Sequence, residues 1–293
     1  MILSYHPCYE ADRNLLCAGR EPDESDRTAI RAADAVILPQ GCSQALYCMV
    51  RNTCSHFFPN YDTRFRYPGK TGQARLFQGD NAPFPRTWVF DDTVHFRRCG
   101  TVVTRHDFPL VFKLDWGGDG DTVYLLRSQT DLAQALSRAT AYEQSGQRGF
   151  ILQAFVRNSR RNLRVAVIGQ TRIAYWRIQD NPQAFGTSLA KGARIDREAD
   201  PSLRRKALEM TEAFGRRQRI NLAGFDILFD DTGRTGKEAR PLFLEINYFF
   251  GRTGLGGSAR FYTLLQAEID HWLAGLGLAV ARSGAESKTR RRS

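Results

Sequence analysis

Two apolar segments late in the chain, residues 222–229 and 241–247, carry polar side chains where a buried strand should have none. Residues two apart in a β-strand face the same way, so we expect Phe243, Glu245 and Asn247 to share one face of the second segment. The opposite face is expected to be apolar, with Leu242, Leu244 and Ile246. A chain with this pattern must place the second segment in a sheet with a carboxylate and an amide on one face.

Asp226 interrupts the first of these segments. If the polar turn over residues 230–240 joins the two segments as a hairpin, Asp226 lies beside Glu245 and Asn247. Three oxygen donors in one place suit Mg²⁺, which prefers one or two carboxylates and completes its octahedron with water and substrate phosphates. The alternative is that each polar group only bridges neighbouring backbone, which would explain Asp226 alone better than three convergent groups.

A lysine followed by a glycine-rich turn is the second signal. Lys113 lies in the apolar segment 109–114, and another apolar segment begins at Thr122. The turn between them contains Gly117, Gly118 and Gly120. Because the linker is too short for a parallel crossover, we expect an antiparallel hairpin. A lysine there can hold phosphate oxygens while backbone N–H groups close over them, although glycine turns and surface lysines are also common without a ligand.

The remaining pattern predicts an α+β body behind a small α/β unit, because antiparallel hairpins alternate with helices. Helices are expected over residues 43–56, 70–81, 130–144 (with Thr130 as the N-cap), 201–218 and 259–275. Strands are expected over residues 35–39, 109–114, 122–126, 150–156, 163–168 and 172–178, besides the two segments above.

The composition is that of an ordinary globular protein, with 42% hydrophobic and 25% charged residues. The longest apolar runs fall far short of the roughly 20 residues that span a bilayer, and the start of the chain has no signal-peptide pattern. The six cysteines show no zinc-ligand spacing. We therefore expect reduced thiols in a cytoplasmic protein that has no membrane partner.

The net charge is +11. Part of it lies in the C-terminal stretch 288–293, which lacks apolar residues for packing and is predicted to be disordered. More lies in 204–219, which is either a solvated helix face or a surface for an anionic partner. Nucleic-acid binding is the weaker hypothesis, because these basic residues are not interleaved with aromatic side chains that could stack on bases.

The order of the singled-out residues resembles the ATP-grasp superfamily, and most closely its RimK-type and glutathione-synthetase-type carboxylate–amine ligases. The similarity covers roughly residues 33–275 and follows six positions in one order: Lys70, Lys113, Gln153, Asp226, Glu245 and Asn247. The most specific matches are Ala223-Gly-Phe-Asp-Ile-Leu and Leu244-Glu-Ile-Asn, which are similar to the metal motifs of that family.

This resemblance implies an ATP-grasp fold with a small N-terminal α/β (pre-ATP-grasp) unit. The implied division places that unit at residues 1–69 and a small lid subdomain at 70–155. The large C-terminal subdomain would cover 156–278, and a disordered basic tail would follow at 279–293.

The resemblance also implies roles for particular residues. ATP would contact Lys70, Lys113, Gly117, Gly118, Gln153, Ala154 and Phe155, with the backbone at Ala154 and Phe155 reading adenine. Mg²⁺ or Mn²⁺ would be held by Asp226, Glu245 and Asn247. The catalytic candidates are Arg164, Lys191 and Arg252, and Arg177 is a further candidate for the carboxylate or the tetrahedral intermediate.

The departures from the family pattern concern the substrate. Gly186 stands where a substrate-binding arginine is usual, and Ser188 stands where an asparagine is usual. Three aromatic residues, 248–250, replace small residues and a proline. We expect Arg252 to supply the missing charge for a carboxylate and the aromatic residues to narrow the pocket. The alternative is that the aromatic residues are core and Arg252 is a surface residue.

The implied activity is an ATP-dependent ligase that phosphorylates a carboxylate and couples the acyl phosphate to an amine. Its partners would be a small-molecule or peptide carboxylate and an amine acceptor. The leading alternative is a protein that binds ATP and Mg²⁺ without ligating, because the substrate motifs have changed more than the nucleotide motifs.

Overall fold

The computed structural model describes residues 1–99, 103, 107–118, 120–230 and 239–280. Within these residues, β-strands form three sheets and α-helices pack against them. The predicted disordered tail lies outside the described residues except for Ala279 and Val280.

The strands are β1 (Ile2–Ser4), β2 (Arg13–Asn14), β3 (Ala35–Ile37), β4 (Phe57–Phe58), β5 (Thr87–Phe90), β6 (Leu110–Leu114), β7 (Val123–Leu126), β8 (Phe150–Ala154), β9 (Arg161–Ile168), β10 (Thr171–Ile178), β11 (Arg194–Asp196), β12 (Leu222–Asp230) and β13 (Arg240–Asn247). The helices are α1 (Glu24–Arg31), α2 (Gln44–Thr53), α3 (Asp62–Arg66), α4 (Gly69–Gly79), α5 (Thr93–Cys99), α6 (Gln129–Gln144), α7 (Pro201–Gln218) and α8 (Ser258–Gly275).

The first sheet is the small N-terminal α/β unit that the sequence predicts. Its strands run parallel in the order β2-β1-β3-β4. Helices α1 and α2 begin after Asp23 and Ser43, whose side chains accept hydrogen bonds from helix N–H groups that would otherwise be unpaired. The Asn60 N–H donates to Asn221 Oδ1 at 2.8 Å, which joins this unit to the start of β12.

The second sheet is antiparallel, in the order β5-β8-β6-β7. Phe112 and Phe150 stack in its core with ring centroids 4.8 Å apart. Helix α6, which packs on this sheet, begins after Ser128 rather than after the predicted Thr130. The reason is a reciprocal cap, because the Ser128 side chain accepts from the Asp131 N–H and the Asp131 side chain accepts from the Ser128 N–H.

The third sheet is also antiparallel, in the order β11-β10-β9-β12-β13. Helix α7 packs on one face and α8 on the other. Alternate residues of β9 belong to the two faces, with Leu163, Val165 and Val167 in the core beside α7 and Ala166 and Ile168 in the core beside α8. By the same alternation Arg164 belongs to the α8 face, at a point where the sheet lines a cavity instead of a core.

The alternation predicted for β13 is wrong at Phe243 and Leu244, which exchange faces. Asp226 pairs with Glu245, but the next residue, Ile227, pairs with Phe243, so Leu244 is a bulge. A bulge inserts one unpaired residue and reverses the side-chain alternation beyond it. Phe243 therefore lies in the core with Phe225 and Ile246, and not on the face of Glu245 and Asn247.

The α+β class is confirmed, with three sheets in a mixed arrangement. Each sheet falls inside one of the three units expected at 1–69, 70–155 and 156–278, and the exact boundaries between those units stay predictions. Among the described residues, no helix is both long and apolar enough to cross a membrane.

Candidate active site

An open cavity lies between the second and third sheets, and it encloses about 1360 Å³ when the solvent space at its mouth is included. Strands β6–β10, β12 and β13 and the loop that contains residues 184–188 contribute to its walls. It brings together eleven of the residues singled out in the sequence: Lys70, Lys113, Gly117, Gly118, Gln153, Ala154, Phe155, Arg164, Asp226, Glu245 and Asn247. Arg177 lines the same cavity.

Basic side chains outnumber acidic ones around this cavity. The basic residues are Lys70, Lys113, Arg160, Arg164 and Arg177, and the acidic residues are Asp226 and Glu245. A concave surface with an excess of positive charge concentrates anions. The cavity therefore suits a polyanion such as a nucleoside triphosphate.

Lys113 lies in β6 and is only 7% exposed. Its ammonium donates to Gln153 Oε1 at 2.8 Å, and Gln153 Nε2 donates in turn to Thr87 Oγ1 at 2.9 Å. Burial lowers the pKa of Lys113 from 10.5 to about 8, against the opposing effect of the Glu245 carboxylate. A buried ammonium without an ion pair is costly unless an anion joins it, so this position favours a phosphate group.

Lys70, in the first turn of α4, is held against the loop that follows β6. Its Nζ donates to the Gly117 carbonyl at 2.9 Å. The Asp115 carboxylate accepts from the Thr71 N–H at 2.6 Å, which ties the start of α4 to the same loop. Gly117 has φ +116°, and a Cβ there would lie 2.5 Å from the Thr122 side chain, so only glycine fits.

The end of the cavity beside β8 is an apolar slot. Its walls are formed by Val111, Val123, Leu228 and Leu244. The N–H groups of Ala154 and Phe155, predicted to read adenine, already donate to the carbonyls of Arg86 at 2.8 Å and Pro109 at 3.3 Å. The Val156 N–H has no hydrogen-bond partner among the described residues, so Val156 offers the free donor at this edge.

The floor of the cavity is centred on Asp226, which is 5% exposed. Arg164 donates to both of its oxygens, from Nε at 2.5 Å and from Nη2 at 3.0 Å, and Arg177 Nη2 lies 2.6 Å from Oδ2. Burial alone would raise the pKa of Asp226, but the two guanidinium groups outweigh it, so the pKa lies below its ordinary value. Asp226 is therefore an ionised carboxylate at neutral pH.

Glu245 and Asn247 flank Asp226 with free oxygens. The Asn247 Nδ2 donates to Asp226 Oδ2 at 3.4 Å, which turns its carbonyl oxygen away from that bond. Within the described part of the chain, the Glu245 carboxylate has no hydrogen bond or ion pair, although it faces the cavity. Two carboxylates and one amide oxygen match the donor preference of Mg²⁺. The residues present therefore fit the metal that the sequence predicts.

A family model described as the RimK-like ATP-grasp domain matches residues 83–258, which is more than half of the chain. The chain belongs to this ATP-grasp family. Its described structure agrees, because the cavity between two antiparallel sheets contains Lys113 of one sheet, Lys70 of α4 and the carboxylates of the other sheet. No curated protein sequence matches the chain significantly.

Solved structures share the ATP-grasp fold at low sequence identity. D-alanyl-alanine synthetase A from Vibrio cholerae is 12% identical, with a TM-score of 0.60 over 83% of this chain and 77% of that one. An ADP complex of N5-carboxyaminoimidazole ribonucleotide synthetase is 12% identical, with a TM-score of 0.58 over 86% of this chain. The ATP-grasp chain spans 64% of the length of that synthetase. The ATP-grasp ligase PsnB, solved with minimal precursor, Mg and ADP, is 16% identical, with a TM-score of 0.52 over 82% of this chain and 78% of that one.

Two predicted site residues of this ATP-grasp chain do not line the cavity. Lys191 Nζ pairs with Asp121 Oδ1 at 3.0 Å, across the loop that contains Gly120. Arg252 lies half-buried, and its guanidinium faces the rings of Phe261 and Tyr262 at 4.7 and 4.5 Å. The roles assigned to Lys191 and Arg252 stay predictions.

The prediction that residues 248–250 narrow the pocket is wrong, because none of the three lines the cavity. Tyr248 and Phe250 are buried in two different cores, and neither lines the cavity. Phe249 is 72% exposed. Strand β13 ends at Asn247, so the chain turns back into the body and buries two of the three rings.

Arg160 and Gln73 are two residues near this ATP-grasp site that sequence reasoning missed. Arg160 lines the cavity in a turn between β8 and β9. Its one signal in the sequence is its position in an arginine-rich run just after β8. Gln73 contacts β13 from α4, and a lone glutamine in a helix gives no signal at all. The basic stretch on α7 proves to be a helix face, where Arg216 and Arg217 pair with Glu212 and Asp80.

Proposed function

We propose that this ATP-grasp protein is a carboxylate–amine ligase that acts through an acyl phosphate. A carboxylate oxygen attacks the γ-phosphorus of ATP, and the bond to the bridging oxygen breaks, so that ADP leaves. The amine nitrogen then attacks the acyl carbon, the carbon–oxygen bond breaks, and phosphate leaves with the former carboxylate oxygen. The amine loses a proton in this second step, so the products are an amide, ADP and phosphate.

The proposal rests on one observation: the buried Lys113 shares a single cavity with the carboxylates of Asp226 and Glu245 and the amide of Asn247. Lys113 and Lys70 come from the second sheet and α4, whereas Asp226, Glu245 and Asn247 come from the third sheet. Phosphoryl transfer needs mainly positioning and charge stabilisation. The lysines would neutralise phosphate oxygens, and the preformed electrostatics of the cavity would stabilise charge that develops in transfer.

The metal would be held by Asp226, Glu245 and Asn247, and it would neutralise phosphate charge when bound. A related fold solved with Mg and ADP supports this assignment for the family. Three N–H donors from Arg164 and Arg177 and one from Asn247 already occupy Asp226. A carboxylate has about four lone-pair sites, so a cation at Asp226 would replace the long 3.4 Å bond from Asn247. Glu245, which is unpaired among the described residues, is expected to be the strongest ligand.

The substrate end of the cavity would be shaped by Arg164, Arg177 and the loop that contains residues 184–188. Both arginines border the cavity, and Arg177 also donates to Asn162 Oδ1 at 3.1 Å, which fixes its orientation. A guanidinium fork suits a carboxylate or an acyl phosphate. Thr187 is buried and Ser188 caps the following turn, so this loop has a defined shape despite the glycine at 186.

The test is transfer of ¹⁸O from a labelled carboxylate into phosphate, measured by mass spectrometry on a library of carboxylates and amines. The acyl-phosphate route requires one carboxylate oxygen to appear in phosphate for every amide formed. Glu245→Gln should abolish both products, whereas Gln266→Leu should not, because Gln266 is exposed on α8 and does not line the cavity. ATP binding without any amide or labelled phosphate would favour the alternative, an ATP-binding protein without ligase activity.

A further inference from the structure

The side-chain amide of Gln73 makes two hydrogen bonds to the backbone of one residue in the strand that carries the metal candidates. Gln73 Nε2 donates to the Ile246 carbonyl at 2.8 Å, and the Ile246 N–H donates to Gln73 Oε1 at 2.8 Å. Ile246 lies directly between Glu245 and Asn247. The amide therefore contacts the backbone at the centre of the proposed metal site.

This pairing replaces a missing neighbour strand. Strand β13 is the outermost strand of its sheet, so one edge of it has no strand partner within the described ranges. Backbone groups along such an edge stay unpaired unless another part of the chain covers them. The Phe243 N–H is covered by the Pro83 carbonyl at 2.8 Å, and Gln73 covers the N–H and carbonyl of Ile246 as one residue of a further strand would.

Gln73 also connects this edge to the phosphate lysines, Lys70 and Lys113, which are proposed to bind the phosphates of ATP. It lies one helical turn after Lys70 in α4, and both residues line a small cleft together with Lys113 and Glu245. The start of α4 is in turn fixed by Asp115 through the Thr71 N–H. A shift of α4 therefore moves Lys70 and Gln73 together, and Gln73 transmits the shift to Ile246.

We propose that Gln73 is a positioning residue that sets the spacing between the Glu245–Asn247 oxygen pair and the phosphate lysines. This inference rests on the proposed function of the cavity as a metal–nucleotide site. Partners of metal ligands generally fix ligand orientation, and their loss weakens metal affinity by about tenfold or more. A glutamine that binds both the N–H and the carbonyl of the residue between two ligands holds the two peptide units that join those ligands, and so orients both with one side chain.

The test compares Gln73→Met with Gln78→Met. Methionine keeps the length and helix propensity of glutamine but has no amide. Gln78 lies on the same helix, and its side chain donates to the Thr87 carbonyl at 3.1 Å and to no other group in the described part of the chain. Its replacement therefore measures the general cost of removing a helix glutamine. Mn²⁺ affinity is measured by electron paramagnetic resonance in the presence of the β,γ-imido analogue of ATP, and adenosine binding is measured separately without metal.

We expect Gln73→Met to weaken Mn²⁺ binding by about tenfold, with adenosine affinity unchanged and Gln78→Met equal to wild type. Equal Mn²⁺ affinity in all three proteins would overturn the positioning role. Equal losses in both variants would also overturn it, because the effect would then be general to α4. If Gln73→Met does not fold, Gln73→Ala replaces it. Failure of both to fold would overturn the positioning role, because the amide would then be a structural requirement of α4. A wild-type protein that binds no imido analogue would instead reject the proposed function.

Discussion

Replacing Lys113 with methionine should stabilise the protein without nucleotide while removing its affinity for ATP. The lysine is buried, and its pKa is lowered to about 8 by that burial. Unfolded lysine titrates near 10.4, so the unfolded chain binds more protons between about pH 8 and about pH 10.4. Stability of the wild-type protein therefore rises with pH across this window. Methionine does not titrate, so the variant lacks this rise.

The magnitude follows from the two pKa values. Holding Lys113 charged at neutral pH costs about 3 kcal/mol relative to a lysine with an ordinary pKa, at about 1.4 kcal/mol for each pKa unit. Between about pH 7 and about pH 9.5, the wild-type protein should gain roughly 2 kcal/mol of unfolding free energy over the variant. Loss of the bond to Gln153 affects the variant equally at both pH values, so it cancels from this difference.

The assay is urea unfolding of both proteins at the two pH values, with ATP binding measured by calorimetry at neutral pH. Gln153→Leu is the matched control, because it removes the same hydrogen bond and keeps the titrating lysine. The difference in unfolding free energy between Gln153→Leu and wild type should therefore change little with pH. If the unfolding free energies of wild type and Lys113→Met change equally between the two pH values, the reasoning is refuted. Unchanged ATP affinity in Lys113→Met would also refute it.

Three further outcomes are expected. ATP should bind much more weakly in EDTA than with Mg²⁺, as measured by calorimetry. Equal ATP affinity in both conditions would contradict the assignment of a metal to Asp226, Glu245 and Asn247. A chain truncated after Arg282 should keep its ATP affinity, because the residues removed are charged and lack apolar anchors; lost binding would contradict this. Arg252→Ala should lower turnover efficiency by about ten- to a hundredfold, the equivalent of roughly 1.5–3 kcal/mol for one charged hydrogen bond, with ATP affinity unchanged. Intact turnover, or ATP binding weakened as much as in Lys113→Met, would reject a substrate role for Arg252.

The sequence predicts the parts of this fold that depend on short-range pattern. The hairpin around Gly117 and the pairing of Asp226 with Glu245 follow from alternation and linker length, and both are found. The bulge at Leu244 does not follow, because the segment alternates regularly and nothing local marks the extra residue. Its cause is tertiary, since the bulge puts Phe243 into the core, where it stacks 5.4 Å from Phe77.

Side-chain pairing across long sequence distances is the other part that the sequence does not predict. Arg164 was expected to face a substrate, and in the structure it pairs with Asp226, sixty-two residues later. The end of β8 is a similar case, because the N–H groups of Ala154 and Phe155 donate to the carbonyls of residues far away in the sequence, Arg86 and Pro109. Motifs therefore locate the cavity, whereas the distribution of its hydrogen bonds depends on packing.

The two arginines on Asp226 have a consequence for the order in which ligands arrive. With Glu245 included, the side chains that line the cavity still carry three excess positive charges, which repel a free divalent cation and attract a triphosphate. Nucleotide and metal should therefore bind as one complex, and each should raise the affinity for the other by the same factor. In steady-state measurements the rate would then follow the concentration of the magnesium–ATP complex, and free Mg²⁺ added before nucleotide would leave the protein unliganded.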